Sequence, residues 1–395
     1  MIKDLLKIIC FIFFIIYPFE KVWMMEKKKP IIIITDLYHP YQDPGDNMDL
    51  IMGFGLPDVE LKAVLLDITD AFRKDTADHP TLWRDPRGPR EAGIIPVEQL
   101  NYIFKRKVPF AIGPLSMMTS EDDKMEFHKN NELDAVSLLF KILNESEEPV
   151  EILSFGSARI LAVAYNRNPE LLKNKIVKIH LSAGTSSKNH QLGKDMGANS
   201  IPGGEWNVAL DPHAFKRILK SDLHVAIYPC AGKDGGFVKD HHNTYWKLPD
   251  MNFVKQMHIQ LQHYLDYAFN MKLQHDFIKA MDKDYPVVID TDKYPKPFHV
   301  WESALWLKIT NRIIINTSEG EYQLVKDNDE LSRKYRIVNN ELRPCVLTEI
   351  REDGRFQFEY TDKPTNKEIY SRSNLDENEK ALQIVIPQLY KSIQP

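Results

Sequence analysis

Short runs of consecutive apolar residues are spaced regularly along the first part of the chain. Ile31 to Ile34 is the clearest, because four isoleucines follow one another with no polar position between them. An uninterrupted apolar run of this kind is typical of a strand buried on both faces of a parallel sheet. Further strands are predicted at Val59 to Asp67, Val150 to Phe155, Ile176 to Leu181 and Val225 to Tyr228.

Between these runs, apolar residues recur every three or four positions, which is the spacing of a helix that packs one face on a sheet. Helices are predicted at Asn131 to Leu143, Ala158 to Arg167 and Phe253 to Phe269, the last continuing through Met271 to Met281. The alternation predicts an α/β fold whose sheet is mostly parallel, Rossmann-like and doubly wound, with helices on both sides.

The pattern changes after Arg312. Short β-like runs separated by turn residues are predicted at Ile313 to Ile315, Tyr335 to Val338, Pro344 to Glu349 and Arg355 to Tyr360. We therefore expect an α/β domain over residues 27–311 and a small β-rich C-terminal subdomain over residues 312–395. Its role as an oligomer contact, a lid or a cover for the sheet edge stays open. An edge strand is also predicted at Pro286 to Asp292.

The chain begins with a leader-like segment. Lys3 and Lys7 precede the apolar run Ile8 to Phe19, which is the pattern of a signal peptide. The run is shorter than the roughly 20 residues that a membrane helix needs. We expect residues 1–26 to be removed and the protein to be periplasmic or extracellular, without a stable membrane span. Translation from Met24 or Met25 would instead leave a cytoplasmic protein.

Composition narrows the classes of partner. The 395 residues include 51 basic and 56 acidic side chains, giving a net charge of −5, so nothing favours nucleic acid or an anionic membrane. Outside the leader, Cys230 and Cys345 permit one disulfide or remain as two buried free thiols.

Acidic residues gather directly after the first strand, at Asp36, Asp43, Asp46 and Asp49. In open α/β sheets, ligands bind outside the carboxyl ends of the strands. Carboxylates packed together repel one another unless a hard cation gathers them, and calcium takes about six to eight such oxygen ligands. The alternative is a solvated acidic turn, because Asp, Pro and Gly are ordinary turn formers.

Four stretches together form a family pattern. The first is the acidic turn with Asp43-Pro44-Gly45, which leads into Asp49-Leu50-Ile51-Met52. The second, Ile152 to Gly184, has a strand, a turn, a helix and a glycine-containing strand end. The third, Gly203 to Ala214, has Glu-Trp-Asn followed by Asp-Pro and a helix, which Asp211 is predicted to cap. The fourth is Phe298 to Trp306. In this order they resemble the inosine-uridine preferring nucleoside hydrolases, the nucleoside N-ribohydrolase superfamily.

The resemblance implies a calcium-dependent N-glycosidase that hydrolyses a nucleoside or a related ribosyl compound. It implies calcium ligands among Asp36, Asp43, Asp46, Asp49 and Glu302, with Asp43 as the residue that takes a proton from water. The chain departs from the family by inserting Leu37 to Gln42 and by carrying Asn47 and Met48 where two acids are expected. Asp46 and Asp49 are the alternative pair of acids.

The resemblance also places the substrate. It implies that Glu205 and Asn207 bind the ribose hydroxyls, because a carboxylate and an amide together satisfy the donors and acceptors of a vicinal diol. The alternative is that Glu205 is a surface residue and Asn207 a turn former. Trp301 and Glu302 occupy the place of a His-Asp pair. Trp301 can stack on an aromatic ring but donates no proton, and His299 could substitute only outside a regular strand.

Two other functions stay open. One is a hydrolase of a different glycoside on the same fold, and the other is a non-catalytic, metal-dependent sugar-binding protein. The expected partner in each case is a small ribosyl or glycosyl molecule, and a homo-oligomer is compatible with all of them.

Overall fold

One large sheet organises the fold, as seen in a computed structural model of the chain. The structure describes residues 27–37, 44–67, 69, 93–128, 133–186, 205–269 and 276–395. The expected leader, Asp43 and the polar loop 187–204 therefore lie outside the described residues.

The strands are short and are distributed along the whole described chain. They are β1 (Lys29–Thr35), β2 (Val59–Leu66), β3 (Phe110–Ile112), β4 (Val150–Ser154), β5 (Ile176–Ser182), β6 (Thr185–Ser186), β7 (Val225–Tyr228), β8 (Trp246–Leu248), β9 (Phe298–Val300), β10 (Arg312–Asn316), β11 (Tyr322–Lys326), β12 (Arg336–Val338), β13 (Glu341–Ile350), β14 (Arg355–Tyr360) and β15 (Lys367–Ser371).

Helices lie between most of these strands up to β10. They are α1 (Pro44–Gly55), α2 (Ile94–Ile103), α3 (Asp134–Glu145), α4 (Arg159–Arg167), α5 (Pro169–Lys175), α6 (Trp206–Leu210), α7 (Pro212–Leu219), α8 (Ile259–Phe269), α9 (Ser303–Ile309), α10 (Glu330–Lys334) and α11 (Leu375–Ser392). Short 3-10 helices span Asn252–Gln256, Lys279–Met281 and Thr291–Lys293.

The central sheet has the strand order β3-β2-β1-β4-β5-β7-β15-β13-β14-β6. Neighbouring strands from β3 to β15 in this order are parallel, and β13 is antiparallel to both β15 and β14. The predicted α/β class with a mostly parallel sheet is confirmed, and β-rich structure follows near the C-terminus as expected.

The isoleucines of β1 are buried on both faces of the sheet. All four are fully buried: Ile31 and Ile33 lie in one core and Ile32 and Ile34 in another. Helices α1, α2, α8, α9 and α11 contribute to the first core, and α3, α4, α5 and α7 to the second. The uninterrupted apolar run thus has the two-sided burial that it predicts.

The C-terminal region contributes both to the central sheet and to a separate small sheet. β15 pairs in parallel with β7, so it continues the central sheet, while β10, β11 and β12 form a separate antiparallel sheet. The long helix α11 packs into the first core. Neither β15 nor α11 was predicted from the sequence, and the domain division at residue 311 stays a prediction.

Two local predictions were wrong. Pro286 to Asp292 forms no strand; Asp290 instead accepts a hydrogen bond from the backbone N–H of Asp292 and caps a 3-10 turn. The helix predicted from Phe253 is interrupted at Met257, whose backbone is extended. Gln262 donates to the carbonyl of Met257 over 2.8 Å and so satisfies a group that the interruption leaves outside the helix.

Two simpler expectations concern the cysteines and the membrane. Cys230 and Cys345 are buried free thiols, so the disulfide alternative is wrong. No helix in the described ranges is long and apolar enough to cross a bilayer.

We expect α11 to stabilise the fold by packing on the central sheet. Leu382 is fully buried, whereas Ile384 on the same helix is 38% exposed. Leu382→Ala should lower the free energy of unfolding by about 2–5 kcal/mol because it leaves a cavity, and Ile384→Ala by less than about 1 kcal/mol. Urea denaturation measures both. Equal, small losses in the two variants would contradict this role of α11.

Candidate functional site

The strand order locates the site. β1 lies between β2 and β4, so the strand order reverses its direction at β1. This reversal is the switch point of the sheet. Sheets of this kind bind ligands in the crevice outside the carboxyl ends of the two strands at the switch point, here β1 and β4. Asp36 follows β1 and Gly156 follows β4. A Cβ atom at Gly156 would lie 2.9 Å from the backbone nitrogen of Asp36, so glycine permits this close approach.

A buried arginine stabilises one side of the crevice. Arg159 Nη2 donates to Asp67 Oδ1 over 2.6 Å, and Nη1 donates to Thr69 Oγ1 over 2.8 Å and lies 3.7 Å from Asp211 Oδ2. All three charged side chains are fully buried. Burial raises the pKa of Asp211, and the charge of Arg159 opposes that rise. Sequence analysis did not single out Arg159 or Asp67.

Asp211 also has the structural role that was predicted for it. Its Oδ1 accepts a hydrogen bond from the backbone N–H of Ala214 over 3.1 Å, and Pro212 occupies the first helical position of α7. The predicted helix cap is confirmed.

Glu205 lies deep in the site, so the alternative of a surface residue is wrong. It is 2% exposed and caps α6. Its Oε2 accepts from the backbone N–H of Gly184 over 2.8 Å and of Val208 over 3.3 Å, and its Oε1 accepts from Asn207 over 3.0 Å. Burial raises the pKa of Glu205 to about 7; the three N–H groups lower the pKa, and the charge of Asp36 raises it.

Asn207 lies in α6 and is not a turn residue. Its Nδ2 donates to the carbonyl of Ser182, at the end of β5, over 2.8 Å. Glu205 and Asn207 therefore both face the end of β5, one through Gly184 and the other through Ser182. The structure brings together the two residues that the resemblance assigns to the sugar.

Ser182 connects this pair to Glu302. Its Oγ donates to Glu302 Oε1 over 3.1 Å and lies 3.3 Å from the Sγ of Cys230. Burial raises the pKa of Cys230 well above its ordinary value, and the charges of Glu205 and Glu302 raise it further. These effects favour the neutral thiol over the thiolate, which is the form that acts as a nucleophile.

Two of the other acids are hydrogen-bonded to tryptophan side chains. Asp36 Oδ2 accepts from Trp206 Nε1 over 2.9 Å, and Asp49 Oδ1 accepts from Trp306 Nε1 over 2.6 Å. Burial raises the pKa of Tyr390, and the charges of Asp49 and Glu302 raise it further.

Asp46 lies in the first turn of α1, and its charge contributes to the raised pKa of Tyr264. The described residues contain no group of three His, Cys, Asp or Glu side chains that is close enough to hold a metal ion.

Four aromatic side chains, Phe237, Tyr245, His299 and Trp301, form a cluster beside Glu302 that we call the aromatic wall. Trp301 Nε1 donates to the carbonyls of Cys230 and Gly236 over 3.0 and 3.2 Å, and His299 Nδ1 lies 2.9 Å from the Tyr245 hydroxyl. Phe237 is 50% exposed and stands edge-on to the other three rings at centroid distances of 4.9–6.0 Å.

The wall includes two residues that the sequence analysis did not predict, Phe237 and Tyr245. The sequence signal near them is a loop with three glycines, Gly232, Gly235 and Gly236, which follows Cys230. His299 lies in the regular strand β9, opposite Lys247 of β8, so the condition set for it as a substitute proton donor is not met.

Comparison with known proteins gives partial matches in sequence and longer matches in fold. No family model matches the chain. A segment of 93 residues is 37% identical to the pyrimidine-specific ribonucleoside hydrolase RihA of Escherichia coli and 33% identical to that of an Enterobacter species. The matched segment covers 24% of this chain and only 27% and 26% of those two relatives.

Solved structures match over a larger part of the chain. A plant nucleoside hydrolase aligns with a TM-score of 0.51 and 14% identity, covering 90% of this chain and 98% of that one. An inosine-uridine preferring nucleoside hydrolase of Bacillus anthracis aligns with a TM-score of 0.44 and 13% identity, covering 93% and 100%. The match to the plant enzyme shows that the chain has the nucleoside hydrolase fold, as the sequence resemblance implies.

Glu205 should make the stability of the calcium-free protein depend on pH. Its folded-state pKa of about 7 lies above the ordinary 4.5, so the folded protein binds this proton more tightly than the unfolded chain does. The stabilisation is complete below about pH 4.5 and is lost as the pH rises through about 7. Urea titrations from about pH 5 to pH 8 should show a steeper fall for the wild type than for Glu205→Gln. Equal slopes would contradict the raised pKa.

Proposed function

We propose that the protein hydrolyses the N-glycosidic bond of a nucleoside or a related ribosyl compound. One observation carries the proposal: carboxylates from separate segments, Asp36, Glu205 and Glu302, converge on the switch-point crevice of a nucleoside hydrolase fold, with the aromatic wall beside them. The partial match to ribonucleoside hydrolases supports the same conclusion.

The chemistry of the crevice fits a sugar and its leaving group. Asn207 and Glu205 supply an amide and a carboxylate to the vicinal hydroxyls of ribose, and Ser182 adds a hydroxyl. The carboxylates stabilise positive charge that develops at the anomeric carbon in an oxocarbenium-like transition state. Trp301 and His299 offer an apolar, aromatic contact to a departing base.

The chemistry of the candidate ligands is the chemistry that calcium takes. Asp36, Asp43, Asp46, Asp49 and Glu302 all offer hard carboxylate oxygens, and Asp43 is the one that lies outside the described residues. A bound calcium ion would supply positive charge that offsets these carboxylates, attracts the sugar hydroxyls and favours the ionisation of water.

In the proposed reaction, Asp43 takes a proton from water as the water oxygen bonds to the anomeric carbon. The bond from that carbon to the base nitrogen breaks, and the electron pair leaves with the base. Trp301 stands where the resemblance expects a histidine for this leaving group, and this difference keeps hydrolysis of a different glycoside as the second candidate.

Export remains part of the proposal. The basic and apolar start of the chain is the supporting observation, and an extracellular or periplasmic site of action follows from it.

Calcium should bind and should increase the affinity for ribose. Calorimetric titration of protein beginning near Glu26, with and without ribose, measures both effects. Calcium binding that strengthens ribose binding is the expected result. If no calcium binds, the proposed mechanism fails and the acidic segment is only a turn.

Asp43→Ala should abolish hydrolysis and weaken calcium binding while the fold is retained. The matched control is Asp122→Ala, because Asp122 is a surface carboxylate far along the chain from the acidic segment. The control should keep wild-type titration curves and rates. Full activity of Asp43→Ala would refute the assignment of the base.

A panel of nucleosides distinguishes the candidate functions. Release of free base from one or more of them, dependent on calcium, is expected. Calcium-dependent binding without release would identify the sugar-binding alternative, and cleavage restricted to other glycosides would identify the second hydrolase.

A further inference from the structure

The C-terminal region reaches the aromatic wall through one buried residue, Arg372. It follows β15 directly and is 1% exposed. Because β15 pairs with both β7 and β13, the backbone that carries Arg372 is held within the central sheet. This part of the chain lies beyond the stretch that resembles the nucleoside hydrolases in sequence.

The guanidinium of Arg372 contacts the loop that leads to Tyr245. Nε donates to the carbonyl of Asp240 over 3.1 Å, and Nη2 donates to Asn243 Oδ1 over 2.9 Å and to the carbonyl of Tyr245 over 2.6 Å. Nη1 donates to Asn378 Oδ1 of α11 over 3.1 Å. A planar fork of donors is suited to holding several acceptors in one fixed arrangement.

The backbone of Arg372 adds a second attachment. Its N–H donates to the carbonyl of His241 over 2.9 Å, and its own carbonyl lies 2.9 Å from His241 Nδ1. Arg372 thus contacts residues 240–245 through both its side chain and its backbone, and Asn243 Nδ2 donates in turn to the carbonyl of Val238, next to Phe237, over 2.8 Å. The preceding residues include Gly232, Gly235 and Gly236, whose backbones have little intrinsic stiffness.

This loop carries half of the aromatic wall, namely Phe237 and Tyr245. The other half, His299 and Trp301, comes from the segment of β9. Phe237 stands edge-on to both rings of the second half, whereas Tyr245 stacks on His299 and is tilted to Trp301. Trp301 is also hydrogen-bonded to the carbonyl of Gly236 in the loop. The position of Phe237, which is half exposed, therefore depends on how the loop is held.

We propose that Arg372 is a positioning residue that holds Phe237 and Tyr245 in place, so that the aromatic wall receives the aromatic leaving group of the substrate. Phe237 is then a residue that determines specificity for that group. The inference rests on the proposed function for the identity of the ligand. It gives the C-terminal region a role in the site that neither oligomerisation nor covering a sheet edge would give it.

The first test is amide hydrogen exchange of residues 231–245 in Arg372→Lys. Lysine keeps the positive charge but cannot make the fork of contacts, so exchange in this loop should become several-fold faster. The matched control is Lys367→Gln. Lys367 is also buried in β15, but it donates to the carbonyls of Ser221 and Leu223, away from the wall. Unchanged exchange in Arg372→Lys, or equal acceleration of this loop in the control, would overturn the proposal.

The second test compares the dissociation constants of inosine and ribose at saturating calcium. Arg372→Lys and Phe237→Ala should each weaken inosine binding by about threefold to tenfold, the range expected for a lost aromatic contact, and leave ribose binding within about twofold. Because both act on one wall, the effect of Arg372→Lys should be smaller in the Phe237→Ala background. Equal weakening of inosine and ribose would overturn the proposal. Phe237 is half exposed, so its variant remains informative if Arg372→Lys does not fold.

The two proposals fail in different ways. If the wild type binds inosine more tightly than ribose but releases no base from any nucleoside, hydrolysis is refuted, and the affinity ratios still decide the role of Arg372. If the wild type binds inosine no better than ribose, the wall is not a leaving-group site and the inference is overturned.

Discussion

The carboxyl ends of the parallel strands bring acidic side chains into one poorly solvated edge of the sheet, and the rest of the site depends on how that charge is stabilised. Asp36, Asp67 and Glu205 come from distant parts of the chain and meet there only because β1, β2 and β5 end together. Burying like charges in a medium of low dielectric is costly unless each is paired, hydrogen-bonded or protonated.

The buried carboxylates are stabilised in two different ways on the two flanks of the crevice. On one flank, Arg159 neutralises Asp67 and Asp211 in a fully buried ion pair network, which makes this flank a fixed structural support. On the other, Glu205 has three backbone N–H donors and a pKa of about 7, so its charge responds to what binds near it. The proposed sugar site lies on this second flank.

The aromatic wall depends on the second half of the sheet. β15 extends the parallel sheet beside β7, and the residue that follows it, Arg372, holds the loop that carries Phe237 and Tyr245.

The sequence by itself determined the α/β class, most strands up to β7, the cap at Asp211 and the family resemblance. These features depend on local apolar runs, turn residues and short motifs, which a single sequence displays. It did not indicate Arg159, Ser182, Phe237 or Arg372 as parts of a site, nor β15 and α11 as parts of the core. Only the tertiary structure decided these, because their significance comes from contacts between residues far apart in the chain. The burial and pairing of single polar or charged side chains leave no periodic pattern in the sequence, unlike the burial of apolar runs.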